Sequence, residues 1–533
     1  MKKKYLGVFA LTFSAAFAQP VEIRFDNGRQ DRAAAVVTDA SANMYLAGAV
    51  EDSSKPSTFA VLKYSPSGTR LWTAHLQALA NEFSGTASDV AVDAAGNTYA
   101  AGNILRRVGT FTTNTDWVVA SFSPSGAQRW AHRITGPEGS LDSARQIVLS
   151  SSGDLYVSGT SGVNHADWLV VKYSASGTVL WQTQLAGAGN SADQPIEMVL
   201  DPVGNLVVAG LTVNIPLTDR NDITVAKFTS DGTLMWRRDF TDGEFGDDVT
   251  GGMAVDIGGN VYVSGTTTLG PEMAVEALLI KWDSLGNLVF VKKGGAHAGG
   301  GAVLVDGAGD VVTSGERFEP LAATGNAAVS KLDSDGNLKW STLVQGSSIL
   351  TTDFQRNIYV AGTVLNADAD QADFFGGKLS PLGAVLWQHR HTDGLRVGGA
   401  TLDALGQWIV AGGSATGPSS FLQDILVLKF PSNFSTPAPS GPTAPSNLTA
   451  RAAARQIQLA WNDLSDNEQG FRIERCEGRS CSNFVQIAQT AANVRSFVDA
   501  GLGRRTDYTY RVRSFNASGV SAASNSASAR TGN

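Results

Sequence analysis

Three groups of side chains have the composition of a reactive or metal-binding site. His389 and His391 alternate just after Trp387, which on a strand puts both imidazoles on one face. His132 stands two residues after Trp130, in the corresponding place elsewhere in the chain. Two imidazoles make an incomplete zinc shell, so the pattern predicts a partly buried slot rather than a metal centre. Asp242, Glu244, Asp247 and Asp248 form one acidic cluster, and Asp368, Asp370 and Asp373 form another. Hard cations take oxygen-rich loops, and calcium is the ion such clusters would hold, yet neither spacing reproduces a calcium-loop pattern. The sequence contains no Gly-x-Ser-x-Gly elbow, no His-Glu-x-x-His, no Gly-x-x-x-x-Gly-Lys loop and no Cys-x-x-Cys. The expectation is a chain without a catalytic constellation and without a cofactor, calcium being the one candidate.

These groups are carried on a repeat. A stretch of the type Asp256-Ile-Gly-Gly-Asn-Val-Tyr-Val-Ser-Gly265 occurs eight times, ending at Gly48, Gly102, Gly159, Gly210, Gly265, Gly315, Gly362 and Gly412. Nine residues before the Gly stands Asp39, Asp93, Asp201, Asp256, Asp306, Asp353 or Asp403, with Ser150 as the exception. An Asp that bonds the backbone two residues on, followed by Gly and Asn that accept positive φ, makes a tight hairpin. These Asp residues are therefore read as turn formers rather than as repeated calcium ligands.

A third strand carries Lys, at Lys63, Lys172, Lys227, Lys281, Lys331, Lys378 and Lys429, with Ser121 replacing it in the second unit. A fourth follows Ser-x-x-Gly and carries Trp, at Trp72, Trp130, Trp181, Trp236, Trp340 and Trp387, with Phe290 in the remaining place. A Trp at one fixed place in every sheet predicts packing between neighbouring sheets. Four short strands per period of 47–57 residues is the signature of a β-propeller blade. Three strand types occur eight times and the Trp strand seven times. Val21-Glu-Ile-Arg-Phe25 supplies the missing copy, so the N-terminal strand is expected to complete the last unit, beside residues 397–430.

The units resemble the bacterial SBBP-type β-propeller repeat, through Asp-x-x-Gly-Asn-x-Tyr-Val-x-Gly followed by Lys-Tyr-Ser-x-x-Gly-x-x-x-Trp. That resemblance implies a secreted or surface protein and a seven-bladed ring, whereas the units counted here number eight. A more distant likeness is to eight-bladed quinoprotein propellers. Residues 448–533 resemble a fibronectin type III domain, through Leu448, Trp461, the Glu468–Glu474 strand, Asp499 and the Thr506–Arg513 strand. The resemblance implies a seven-strand sandwich with Trp461 in its core and Tyr508 at a tyrosine corner. The expected architecture is all-β: residues 19–431 an eight-bladed propeller (seven-bladed as the alternative), 432–447 a Pro/Ser-rich linker, and 448–533 the sandwich.

Residues 1–18 read as a signal peptide, with Lys2-Lys3-Lys4, an apolar run and Ala16-Phe17-Ala18. Its removal takes the net charge from −8 to −11, which argues against nucleic acid. No run is long enough for a membrane-spanning helix. Cys476 and Cys481 are the two cysteines. They bracket a hairpin tip, and an exported chain is expected to join them as a disulfide.

Alternate connections of an up-and-down unit fall on alternate faces, so the two uniform turns share one face and the two variable loops share the other. Loop variation on a rigid scaffold predicts binding there. The candidates are Arg106, Arg107, Asn164, His165, Asp219, Arg220, Asp222, Asp247, Asp248, Arg317, Asp368 and Asp370. The expected function is a secreted or cell-surface, monomeric, non-catalytic scaffold that binds an extracellular protein or carbohydrate on this face. The alternative is a propeller enzyme, quinone-dependent or polysaccharide-cleaving, with residues such as Asp247 and Asp248 at its mouth.

Overall fold

A computed structural model describes residues 19–532, apart from 27–29, 53–54, 110–111, 164–165, 189–191, 214–219, 243–246, 270–273, 295–298, 317–326, 347, 366–371, 393, 416–422, 435–441, 466–467, 480, 493 and 517–518. Residues 1–18, read from the sequence as a signal peptide, lie outside them. Every element of the described residues is a β-strand. The chain divides into two compact units, 1–434 and 435–533.

The first unit holds eight four-stranded antiparallel sheets. Sheets 1 to 7 take consecutive strands, within residues 31–75, 82–134, 143–185, 194–240, 248–293, 299–344 and 349–391. Sheet 8 takes three strands from 394–430, and its fourth is the N-terminal strand Val21–Phe25, paired with Gln423–Phe430 from Val21 opposite Lys429 to Phe25 opposite Ile425. The expectation about Val21–Phe25 therefore holds. It follows from strand pairing: without it the Gln423–Phe430 strand would present an open edge.

Each gap between successive sheets has its own apolar core. Tyr45, Val61 and Ala100 fill the gap between sheets 1 and 2; Tyr99, Trp117 and Val157 fill the next. The gap between sheets 8 and 1 is filled in the same way, by Ile23, Phe25, Leu46, Leu62 and Ile425.

The fourth-strand aromatics lock neighbouring sheets by a repeated contact. Trp130 Nε1 donates to Ala175 O at 3.1 Å, in the Ser-x-x-Gly turn of the next sheet, and its ring lies under Gly177 of that turn. Trp72 and Trp181 do the same with Pro124 O and Ser230 O, at 2.9 and 3.1 Å. Gly177 has φ +88°, and an added Cβ would lie 2.6 Å from the Trp130 ring. Between sheets 8 and 1 Ile23 takes the aromatic's place under Gly68. Sheet 7 meets Phe434 instead, which packs edge-on to Trp387 with centroids 4.9 Å apart. Residues 432–434, expected in the linker, thus complete the first unit.

The turn chemistry is as the sequence implies. Asp256 Oδ1 accepts from Gly258 N and Asn260 N, both at 2.9 Å, and Oδ2 accepts from Asn260 Nδ2 and the Tyr262 hydroxyl. The third-strand Lys adds charge: Lys227 reaches Asp201 at 2.9 Å and Lys331 reaches Asp306 at 2.6 Å.

The second unit has its own core of Leu448, Ile457, Leu459, Trp461, Phe471, Ile473, Tyr510 and Val512. One sheet pairs Ser446–Ala452, Gln456–Asn462 and Ser496–Ala500; the other is built around Gly470–Glu477 and Asp507–Asn516. The Tyr508 hydroxyl accepts from Gly503 N at 3.2 Å. Cys476 and Cys481 form the expected disulfide.

Candidate functional site

The repeated Gly has a second role, and it places the site. An added Cβ on Gly48 would lie 1.9 Å from Arg32 O, and one on Gly159 would lie 2.0 Å from Ser143 O. The first strand of the sheet descends onto the second at that point, and only Gly admits the approach. Just beyond, the first strand bulges in seven sheets: the register shifts at Ala33/Ala35, Ala87/Asp89, Ala144/Gln146, Pro195/Glu197, Thr250/Gly252, Gly300/Val303 and Val397/Gly399. A bulge leaves one residue out of the ladder and re-aims it.

In five of the sheets the residues above the Gly, with the bulged residues of four of them, line a cavity of about 550 Å³, at the end of the first strands where the variable loops connect. Its wall comes from sheets 8, 1, 2, 3 and 4: Arg396 and Gly398, Arg32 and Ala34, Thr86 and Ser88, Ser143 and Arg145, Gln194 and Pro195. On the other side the first strands of sheets 5 and 6 close up, since a Cβ on Gly251 would meet the Gly300 carbonyl carbon at 2.5 Å. The mouth is thus polar and basic on one arc and pinched by glycines on the other.

The side chains of Arg32, Arg145 and Arg396 make no hydrogen bond or ion pair with any described residue. Arg145 is exposed to the cavity; partial desolvation, with Arg396 nearby, lowers its proton affinity against the pull of Glu197. Two carboxyls follow the mouth residues in the chain. Asp89 Oδ2 accepts from Ile147 N at 3.0 Å, tying sheet 2 to sheet 3, and burial pushes its pKa up to about 6. Glu197 Oε1 accepts from Gln146 Nε2 at 3.2 Å, and burial, with Asp89 adding to it, raises its pKa to about 7.

Next to the mouth residues stands a second recurrent Asp. Asp31 accepts from Glu51 N, Asp142 from Gly162 N and Asp193 from Val213 N, at 3.0, 3.2 and 2.8 Å. Asp248 accepts from Asp242 N at 2.7 Å. Each clamps a variable loop onto the start of a first strand. Burial raises the pKa of Asp193 and Asp248.

Several predicted loop residues are thereby engaged within the fold. Arg106 forms a forked ion pair with the fully buried Asp116, and Arg107 lies over the Phe83 ring at 5.9 Å. Asp222 and Asp248 are buried, which removes them from the loop surface where the sequence put them. Asp247 is exposed and accepts from Asn221 N at 2.8 Å; Arg220 is half-buried. Asn164, His165, Asp219, Arg317, Asp368 and Asp370 lie outside the described residues, as does Glu244. Asp242 pairs with Lys293, and Asp373 with Arg390.

His389 and His391 do share one face, with centroids 6.2 Å apart, beside Phe430 and with Glu22 3.7 Å from His391 Nε2. Burial and the neighbouring His391 lower the pKa of His389. His132 Nδ1 is 3.2 Å from the Tyr173 hydroxyl. Among the described residues no three His, Cys, Asp or Glu side chains converge on a metal-binding arrangement.

The mouth arginines were missed by sequence reasoning, although a signal exists for two of them, Arg32 and Arg396. Sixteen residues before the repeated Gly stand Arg32, Thr86, Ser143, Gln194, Val249, Gly299 and Arg396. One position earlier stand Asp31, Asp142, Asp193 and Asp248.

No family model matches the chain. An α-amylase of Niallia circulans is 32% identical over 110 residues, 20% of this chain and 7% of that protein. The chain thus spans a small part of the length of that curated relative. Among solved structures, one described as a myokine is 27% identical over 17% of this chain and 99% of its own, at a TM-score of 0.16. A pectate lyase of Pectobacterium carotovorum is 22% identical over 16% of this chain and 26% of its own, at 0.15. A eukaryotic initiation factor covers 67% of this chain and 78% of its own at 11% identity and a TM-score of 0.38.

Proposed function

We propose that the first unit is an eight-bladed β-propeller of the SBBP-repeat type and the second a fibronectin type III module. Together they form an exported, non-catalytic binding scaffold whose ligand, a protein or a glycan, sits on the variable-loop face. The propeller reading is supported by eight sheets in chain order with an apolar core in each gap, including the gap between the last and the first. Export is supported by the signal-like start and by the disulfide, which suits an oxidising compartment.

The observation that carries binding is the cavity at the loop end of the first strands, which is concave, polar and walled by five sheets. Concave sites with a few fixed polar groups on rigid elements are where ligands are held. Purified residues 19–533 are to be screened against extracellular glycans and envelope proteins. Saturable binding that is lost when Arg32 and Arg396 are both replaced by Glu supports the reading. A quinone spectrum in the purified protein, or turnover of a polysaccharide, overturns it in favour of an enzyme.

A further inference from the structure

We infer that the mouth is a carboxylate-binding site, in which Arg32, Arg145 and Arg396 grip a ligand bearing two or more carboxylates. The inference rests on the binding reading above and names the chemistry of its ligand. Three arginines line one cavity, and no side chain among them makes a hydrogen bond or ion pair with a described residue, Glu197 acting on Arg145 only at longer range. This stands out in a chain with eight more acidic than basic residues, where Arg106, Arg133, Arg237 and Arg390 each hold a carboxylate. Arginine cannot shed its proton to relieve such crowding, so the three positive charges repel one another until an anion enters.

The backbone fixes where they stand. Arg32 and Arg396 stand directly above Gly48 and Gly412, and Arg145 is the bulged residue of its strand. A guanidinium at such a place offers a planar fork that matches a carboxylate with two parallel hydrogen bonds. Thr86, Ser88 and Gln194 complete the wall, and their side chains also lack partners among the described residues. They suit the hydroxyl groups of a polyhydroxy acid. Among the described residues no aromatic ring lines the cavity, which offers a neutral sugar no stacking surface there. The carboxylates can come from a free polycarboxylate or from successive uronic-acid units of an acidic saccharide, and about 550 Å³ admits either.

The test is calorimetric titration of residues 19–533 with citrate, trigalacturonate and neutral maltotriose, at low and at physiological salt. Citrate or trigalacturonate should bind at one site per chain, more weakly as salt rises, while maltotriose should not. A preference for trigalacturonate assigns the saccharide source, and a preference for citrate the free acid. Each charged hydrogen-bonded contact is worth about 1.5–3 kcal/mol, so Arg32→Ala and Arg396→Ala should each weaken binding roughly tenfold or more. Arg32→Lys keeps the charge but loses the fork and should recover only part. The Ala variants should melt no lower than the parent without ligand, since they remove repulsion; if one misfolds, Arg→Gln at the same position reads the loss instead. Absence of carboxylate binding, or equal binding by the triple Ala variant, overturns the inference. If maltotriose binds instead and depends on the same face, the anion chemistry is wrong while the scaffold reading stands.

Discussion

The turn aspartates show how one charge can be moved among neighbouring positions without losing the turn. In sheet 3, Ser150 replaces the Asp and takes its backbone bond through Oγ, while Asp154 four residues on supplies the carboxylate to Lys172 at 3.1 Å. In sheet 2, Ser121 replaces the Lys, and Arg129 on the adjacent strand reaches both Ser121 and the Tyr99 hydroxyl. The pairing is buried where Lys227 meets Asp201. Asp201→Ala would leave that Lys unpaired in the interior, and the expected loss is about 3–5 kcal/mol in urea unfolding. Lys227→Met in the same chain should return most of it; if it does not, the charge pair is not the reason. The pH dependence has two limbs. Burial would raise Asp201, but the bonds from Lys227 and Asn205 outweigh it and hold the carboxyl below 3.8, as the turn bonds do for Asp39 and Asp93. Their contribution is present above the unfolded value and is lost as pH falls through the folded one, below about pH 4. Glu197 and Asp89 act oppositely: their folded pKa values, about 7 and about 6, lie above the unfolded ones, so their cost is full above pH 7 and vanishes as pH falls toward 4.5. Melting temperature should therefore peak near pH 5, and Glu197→Gln should flatten the alkaline limb. An equally steep limb in that variant would falsify the assignment.

At the scale of elements, two contacts hold neighbouring sheets in line: an aromatic under a turn glycine, and a strand borrowed from the N-terminus. Gly177→Ala places a methyl 2.6 Å from Trp130 in a backbone at φ +88°, so it pushes against the ring and strains the turn together. The expected cost is more than 1 kcal/mol, read as a lower denaturation midpoint. Trp130→Ala opens the same contact from the other side, at about 3–5 kcal/mol. Deleting residues 19–27 removes the strand that covers Gln423–Phe430 and withdraws Ile23 and Phe25 from the last gap. That truncation should aggregate, because a flat apolar edge is left open. A monomer with an unchanged melting curve would contradict closure by Val21–Phe25. The element pattern was legible in the sequence, because Asp, Gly and Trp sit at places where backbone geometry admits few alternatives. The bulges were not, since nothing in Ala33-Ala34-Ala35 or Ala144-Arg145-Gln146 marks an extra residue.

At the scale of the whole molecule, the second unit has a core and strand pairings of its own. Residues 442–533 are therefore expected to fold alone and melt cooperatively. The disulfide closes a short loop, and short loops remove little unfolded-state entropy, so reduction should cost this fragment about 2 kcal/mol. Calorimetry with and without reductant checks this; a fragment that is unfolded when oxidised would show that the unit needs the rest of the chain.

The sequence by itself determined the repeat, its turns, the order of its strands and the pairing of its cysteines, because each depends on contacts between residues close in the chain or on a fixed period. It also pointed to the loop face. What occupies that face was decided by tertiary structure. Arg106, Asp222 and Asp248 read as surface ligands in the sequence, yet they are buried or paired within the fold, because a loop must satisfy its own backbone before it can serve a partner. Arg32 and Arg396 share a repeat position that Arg145 does not, and the three are up to 364 residues apart. They meet only because sheets 8, 1 and 3 bring their first strands to one cavity, Arg32 and Arg396 over a glycine and Arg145 at a bulge.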